Sequence, residues 1–512
     1  MPVPAVSVVS LLPWLYLIAC VAVAFLAYRR LAAYLWLPAI IAAYGGMVLV
    51  LVDVLSGLLG NHGIDRLGLV MAALISFLAV IIINFSRAYL QGEPRQPRYL
   101  MALLLTLAAV AVVITTDNLL WLAAAWISTS LSLHQLLVFY PHRINALIVA
   151  HKKFLASRLA DLCLLSATGL LVHATGTSSI TAILHWVAEY AGGPGGLGLN
   201  MQLAALLMSM AVILKTAQLP VHGWLIQVME APTPVSALLH AGVINLGGFM
   251  ILRFAPLFSA APSAQTLLVI VGGLTAVLAA LVMMTRISIK VRLAWSTCAQ
   301  MGFMLMELGL GLYEVALVHL LAHSLYKAHA FLASGDTVNQ SARMHTPVRQ
   351  RTGLSRALLA LPMALALMFL LHALWSHWQP EHVLPLVSLM ILAVGLAPWC
   401  FRQGAKVQAA LMLTLLPAAY LIWHLAASLV LRGYPEPTGF QTGLAVLAML
   451  FFIALYCIQV MVLERPGSEF AQRLYPWAYA GFYLDEFFTR LTFRIWPPHA
   501  ITTARLSRKT QS

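Results

Sequence analysis

Apolar stretches of roughly 20 residues, each long enough to cross a bilayer as a helix, recur along the chain from Leu11 to Val462. They cover 11–27, 32–56, 67–88, 99–117, 118–139, 157–173, 199–218, 233–254, 265–285, 291–311, 313–334, 355–375, 383–401, 407–431 and 440–463. Short polar connectors separate them, and there are too many for one buried core. The expected fold is an all-α polytopic membrane protein with about 14–15 transmembrane helices. The stretch at 177–198, SSITAILHWVAEYAGGPGGLGL, is too short and polar to span, and predicts an amphipathic element followed by a glycine-rich loop. The first segment lacks a basic leader and a small-residue cleavage site, so it reads as an uncleaved span. Four regions follow: N-terminal helices over 1–98, a core over 99–345, C-terminal helices over 346–463, and an amphipathic tail over 464–512.

One segment breaks the pattern. From Lys215 to Arg253 the chain reads KTAQLPVHGWLIQVMEAPTPVSALLHAGVINLGGFMILR. An apolar helix reaches Lys215, breaks around Pro220, and restarts through Pro232 and Pro234 into a helix carrying His240. Proline removes a backbone donor and clashes with the preceding turn, so each one opens the hydrogen-bond ladder. Within a bilayer, broken backbone survives only where protein covers it or where it lines a wet cavity. A lysine before the break and a histidine after it are therefore candidates for an ion path.

Composition places the whole chain in the membrane: of 512 residues, 62% are hydrophobic and 9% charged, with mean hydropathy +0.89. The net charge of +14 does not indicate nucleic acid, because the basic residues gather at one set of span ends. Arg29, Arg30, Arg87, Arg95, Arg98, Arg143, Lys152, Lys153, Arg158, Arg286, Lys290, Arg292, Arg343, Arg349, Arg351, Arg356, Arg402 and Lys406 flank the ends of odd-numbered spans, whereas Arg66, Arg253 and Arg432 flank the even-numbered ends. By the positive-inside rule the N-terminus is expected outside and the C-terminus in the cytoplasm. Arg465, Arg473, Arg490, Arg494, Arg505, Arg508 and Lys509 lie in the tail after the last span, which on this reading leaves Lys215 and Lys327 as the two of 30 basic residues that fall inside spans. The first two spans are expected to hold no intramembrane charge and read as peripheral packing.

Further candidates sit near those lysines. In HLLAHSLYKAHAFLASG, His319, His323 and Lys327 are spaced i, i+4 and i+8, on one stripe of a helix. In the sixth span Arg158 and Asp161 are three apart and can pair, while Asp161 is also a candidate counter-charge for Lys215. Desolvation and a nearby anion act oppositely on a buried lysine's proton, so modest rearrangement can make it release or take one. Histidines pass protons near neutrality. Isolated serines in the spans read as helix packing. The five cysteines are scattered singly, no HExxH or clustered Cys/His set is present, and no glycine-rich phosphate loop follows a strand. No catalytic residue, metal or cofactor is expected in this chain.

These residues also carry a family resemblance. KTAQLPVHGWLIQVMEAPTPVSALLHAGVI resembles the signature of the antiporter-like subunits of respiratory complex I and of Mrp-type cation/proton antiporters. DNLLWLAAAW, IKVRLAWSTCAQMGFM, HLLAHSLYKAHAFLASG and the terminal FYLDEFF are similar to the same family. The resemblance implies inverted repeats with broken helices. It also implies a proton path through Lys215, His240, His319, His323 and Lys327. Two positions depart from the family. A glutamate that follows the fifth-span tryptophan is absent, since Trp126 precedes Ile127, and no span after Lys327 contains a lysine. With the short rear half, these losses resemble the membrane B subunits of DAB inorganic-carbon pumps. That likeness implies a bacterial inner-membrane protein paired with a large zinc-containing subunit resembling β-carbonic anhydrase. In such a pair, cation flow would drive CO2 hydration to bicarbonate in the partner. The alternatives are a proton-pumping subunit of complex I or a membrane-bound hydrogenase, and a sodium/proton antiporter of Mrp type.

Overall fold

The structure is a computed structural model that describes residues 7–58, 65–140, 143–191, 196–336, 353–378, 385–401, 406–436 and 439–496. Arg343, Arg349, Arg351, Arg402, Arg505, Arg508 and Lys509 of the charge pattern lie outside the described residues. Over their described residues the apolar segments read from sequence are helical, with 233–254 divided between two helices. In chain order these are α1 (Leu12–Tyr28), α2 (Leu37–Leu58), α3 (Arg66–Tyr89), α4 (Gln96–Thr115), α5 (Leu119–Leu137) and α6 (Ile144–Thr175). After the short amphipathic α7 (Ile180–Ala191) come α8 (Leu199–Lys215), α9 (Gly223–Gln227), α10 (Thr233–Ala241), α11 (Leu246–Arg253) and α12 (Ala255–Ser259). The remainder are α13 (Pro262–Met283), α14 (Ile289–Gly309), α15 (Tyr313–Leu332), α16 (Leu354–Trp378), α17 (Leu386–Cys400), α18 (Lys406–Val430), α19 (Gly439–Glu464), α20 (Glu469–Tyr479) and α21 (Leu484–Ile495). Among the described residues 11 helical stretches are long and apolar enough to cross a membrane, and α8 and α17 are shorter apolar helices. The protein is all-α and multi-pass.

The chain forms two compact units. The first holds Met1–Ala264, Leu321–Ser334 and Leu484–Ser512; the second holds Gln265–Leu320 and Gly335–Tyr483. In the first unit α1 packs on α4 and α2, α4 on α5, α5 on α6, and α6 runs along α8. Trp126, Tyr16, Tyr99, Phe249, Phe254 and Phe258 fill its core. In the second unit α13 and α14 approach through Gly272 and Gly302, where an added Cβ on either would meet the other's backbone. Small residues at a helix crossing are the usual device for close packing without a hydrophobic driving force. There α16, α17 and α19 share a core of Ala360, Ala364, Leu396, Ala397 and Tyr456.

Polar groups fix the helix ends of the first unit. Arg253 donates from Nη1 to Val113 O (3.0 Å) and Ile114 O (3.2 Å), satisfying carbonyls that the end of α4 leaves open. Asp117 accepts from Ser179 Oγ (2.6 Å), Thr181 Oγ1 (2.6 Å) and Thr181 N (2.9 Å), and so caps α7. Partial burial pushes its carboxyl up, but those hydrogen bonds and the Arg253 charge outweigh it and hold the group below the usual aspartate value. A carboxyl lowered by folding stabilises above the unfolded value of about 3.9 and loses that contribution as pH falls through its folded value. The protection factor of the Thr181 amide, which donates to the Asp117 carboxylate, is expected to hold down to about pH 4 and to fall at lower pH; a protection factor independent of pH would rule out this cap.

One sequence expectation is corrected here. The first two spans are not free of buried charge, because Asp53 on α2 is 4% exposed. It accepts from Ser7 Oγ (2.8 Å), Val8 N (3.0 Å) and Val9 N (2.6 Å), and so holds the turn that leads into α1. Open N–H groups at a helix start favour an anion, which is why the carboxylate is stable there.

Candidate ion path

The break organises the first unit. Helix α8 ends at Lys215; Thr216–His222 is non-helical, with Ala217 at φ 55° and a cis Leu219–Pro220 bond. A second interruption follows His240, at Gly242 and the 3-10 turn Val243–Asn245. Across Thr233–Arg253 the most apolar window is wholly buried by protein, which meets the condition for broken backbone at membrane depth. Gly247 lets α11 close on the end of α8, since a Cβ there would collide with Thr216.

Lys215 is 4% exposed, and its Nζ donates to Trp126 O (3.1 Å), Thr129 Oγ1 (3.0 Å) and Ser130 Oγ (2.6 Å). Its ammonium also lies over the Trp126 ring, 4.5 Å from the centroid. All three ammonium donors are therefore used on one turn of α5. Asp161 pairs with Arg158 at 2.6 Å, yet its charge also acts on Lys215 and Lys153.

Two further lysines join this site, and the sequence reading misplaced both. Lys152 and Lys153 are 0% and 2% exposed on α6, not connector charges, because that helix begins at Ile144. Lys153 Nζ donates to Ser130 O at 2.7 Å, so Lys153 and Lys215 converge on the same serine. Lys152 Nζ binds Asp485 Oδ2 at 2.7 Å and Gln227 Oε1 at 3.1 Å. Asp485 stands at the start of the tail helix α21, directly over Gly223 of the break. Trp496 at the other end of that helix stacks on His151 at 3.9 Å between ring centroids. The DEFF tail is thus an internal contact of the first unit.

His240 is fully buried, stacks on Phe331 at 4.4 Å and lies within electrostatic reach of Lys327, itself 0% exposed. Neither ring nitrogen of His240 has a hydrogen-bond partner among the described residues. Asn245 Nδ2 donates to Ser324 Oγ at 2.6 Å and ties the second interruption to α15. His323 on that helix is 5% exposed. His319 belongs to the second unit, where its Nδ1 meets Glu307 Oε2 at 2.8 Å. Glu307, only 1% exposed, was not singled out from sequence. The signal was one acid inside the apolar run of α14.

A sequence profile described as NADH:quinone oxidoreductase/Mrp antiporter, transmembrane, matches residues 116–376, which hold the broken helices and all of the lysine and histidine candidates. The chain belongs to that antiporter family. A relative named probable inorganic carbon transporter subunit DabB, from Hydrogenovibrio crunogenus, is 40% identical over 85% of this chain and 83% of its own length. DabB2 of Halothiobacillus neapolitanus, named likewise, is 37% identical over 85% of this chain and 80% of its own. Among solved structures, a chain of the Mrp complex from a Dietzia species matches with TM-score 0.55 and 25% identity, over 82% of this chain and 52% of that one. This chain thus spans about half the length of that Mrp chain. As a member of the antiporter family, the protein is a membrane subunit for ion transport.

Proposed function

We propose that this chain is the cation-conducting membrane subunit of a two-subunit system that accumulates inorganic carbon. The supporting observation is the likeness to subunits named for inorganic carbon transport, which extends over most of both chains, whereas the match to the Mrp chain leaves about half of that chain uncovered. In this reading Lys215, His240, His319, His323 and Lys327 carry protons, Asp161 biases Lys215, and Pro220, Pro232 and Pro234 keep the break open. Buried ionisable groups at membrane depth are costly to keep unless used. The partner is a large zinc subunit with a β-carbonic-anhydrase-like site, and the cation current drives CO2 hydration there. The chain itself holds no cofactor and sits in a bacterial inner membrane, with its C-terminus in the cytoplasm.

The test is co-purification with mass spectrometry, together with rescue of growth at ambient CO2 in a host lacking carbonic anhydrase. A large zinc-binding partner and rescue support the reading. Quinone-reductase subunits, or a set of small antiporter subunits, would replace it with a complex I or Mrp role. Metal analysis is a separate check: the chain purified without its partner is expected to hold no stoichiometric zinc, and one zinc per chain would refute the division of labour.

A further inference from the structure

Beside His319, the second unit contains a string of titratable side chains for which no role has been given. His319 Nδ1 meets the buried Glu307 carboxylate at 2.8 Å. Tyr420 on α18 lies within electrostatic reach of both Glu307 and Glu314, with its hydroxyl beside Ser388. Its ring stacks on His424, 6.0 Å between centroids. His424 Nδ1 in turn meets Glu314 Oε2 at 3.0 Å. Exposure rises along this order at its end: the Glu307 side chain is 1% exposed, that of His424 5% and that of Glu314 32%. Glu314 and His424 line a cavity of about 850 Å³ whose wall also includes Tyr434, Glu436 and Gln441, and Glu436 is exposed.

We propose that Glu307, Tyr420, His424 and Glu314 form an access route for protons between this cavity and His319. The inference rests on the proposed ion-transport reading and extends it to residues outside the lysine and histidine set. Three arguments carry it. First, a carboxylate at membrane depth is expensive, and a relay is a standard reason for keeping one. Second, a protonated acid, a phenol and an imidazole can each accept a proton on one atom while giving one up from the same or another atom, so a proton passes along the series and each group returns to its starting charge. Third, two carboxylates at the cavity wall raise the local cation concentration at its mouth. Glu314 follows the tenth span and Glu436 the fourteenth, both even-numbered ends, so on the proposed topology the cavity faces outward. The rear half of this chain has no span lysine, and this acidic route would supply what such a lysine would otherwise provide.

The experiment uses the full chain, with any co-purified partner, in proteoliposomes carrying a pH-sensitive dye, and imposes a proton or a sodium gradient in parallel. Glu307→Gln and Tyr420→Phe should each lower proton flux by about tenfold or more, with Glu307→Asp staying within about threefold of the unaltered chain. A cysteine placed by Tyr434→Cys, on the cavity wall but outside the route, should leave flux near normal and let a membrane-impermeant cationic thiol reagent block it from the outer face, while the unsubstituted chain is unaffected. That blockade also decides the matter if Glu307→Gln fails to assemble. Normal flux in Glu307→Gln, or no outward blockade, with Lys327→Ala silent, overturns the route and leaves the functional reading standing. Flux driven by sodium but not by protons overturns the proton assignment. An unaltered chain with no flux under either gradient overturns the functional reading and the route together.

Discussion

Alanine at Lys215 or at Lys327 is expected to abolish growth rescue and to lower cation flux by about 100-fold or more, while the protein still purifies with the partner proposed above. Lys215 is 4% and Lys327 0% exposed, so neither amine is serving a lipid headgroup or an aqueous surface. In the proposed function, the environment of Lys215 would suit turnover better than permanent binding. In the family a glutamate would stand at position 127; here the ammonium is solvated by Trp126 O, Thr129 Oγ1 and Ser130 Oγ. Neutral oxygen dipoles satisfy an ammonium's donors without cancelling its charge. The Asp161 charge, already paired with Arg158, also acts on Lys215. Lys153, bound to the carbonyl of the same Ser130, places a second amine beside it. Two ammonium ions at such a site repel strongly in a low-dielectric interior, so a proton arriving at one favours departure from the other. Lys215→Arg is expected to fail as completely as alanine, because a guanidinium does not give up its proton at any working pH. Rescue at the normal level by both alanine variants would remove the central claim. Rescue by the arginine variant alone would leave charge, but not proton exchange, as the requirement.

The sequence disclosed the helices because apolar runs of membrane length leave the backbone few alternatives. It disclosed the break because three prolines and a lysine occur together at Lys215–Pro234. The partners of the charged groups were less legible, for identifiable reasons. HKK at 151–153 follows PHR at 141–143, and the polar cluster resembled a connector; the helix nevertheless starts at Ile144 and carries both lysines inward. Asp161 had two candidate cations at plausible positions, and only side-chain geometry shows that Arg158 makes the ion pair while Lys215 is bonded to α5. Asp485 lies 333 positions from Lys152, and no periodicity links residues so far apart. Glu307 is a single acid in an apolar run, and only its placement against His319 gives it a partner. Local hydrogen-bonding demands are written in sequence, whereas the choice among several long-range partners is made by packing.

That long-range pair supports a second large effect, on stability. Asp485→Asn is expected to destabilise the first unit by ~3 kcal/mol, because it leaves the Lys152 ammonium buried without its anion. Lys152 is 0% exposed and retains only Gln227 Oε1 and a neutral amide, whereas Asp485 is 24% exposed, so water offsets part of the loss on that side alone. Gly223→Ala should act in the same direction without touching a charge, since its Cβ would occupy the space of the Asp485 carboxylate. The tail helix would stay tethered by Trp496 on His151, so the first turn of Leu484–Ile495 should lose hydrogen-exchange protection before its last. Replacing the buried lysine as well should recover most of the loss: an apolar pair of similar volume is often as stable as a buried ion pair. The double variant Lys152→Met with Asp485→Asn is therefore expected to melt close to the unaltered protein, and Asp485→Asn alone several degrees lower. If the single variant melts normally, the tail does not depend on this pair. If the double variant melts lower than the single, Lys152 holds the break through contacts other than Asp485, and its ammonium is needed there in its own right.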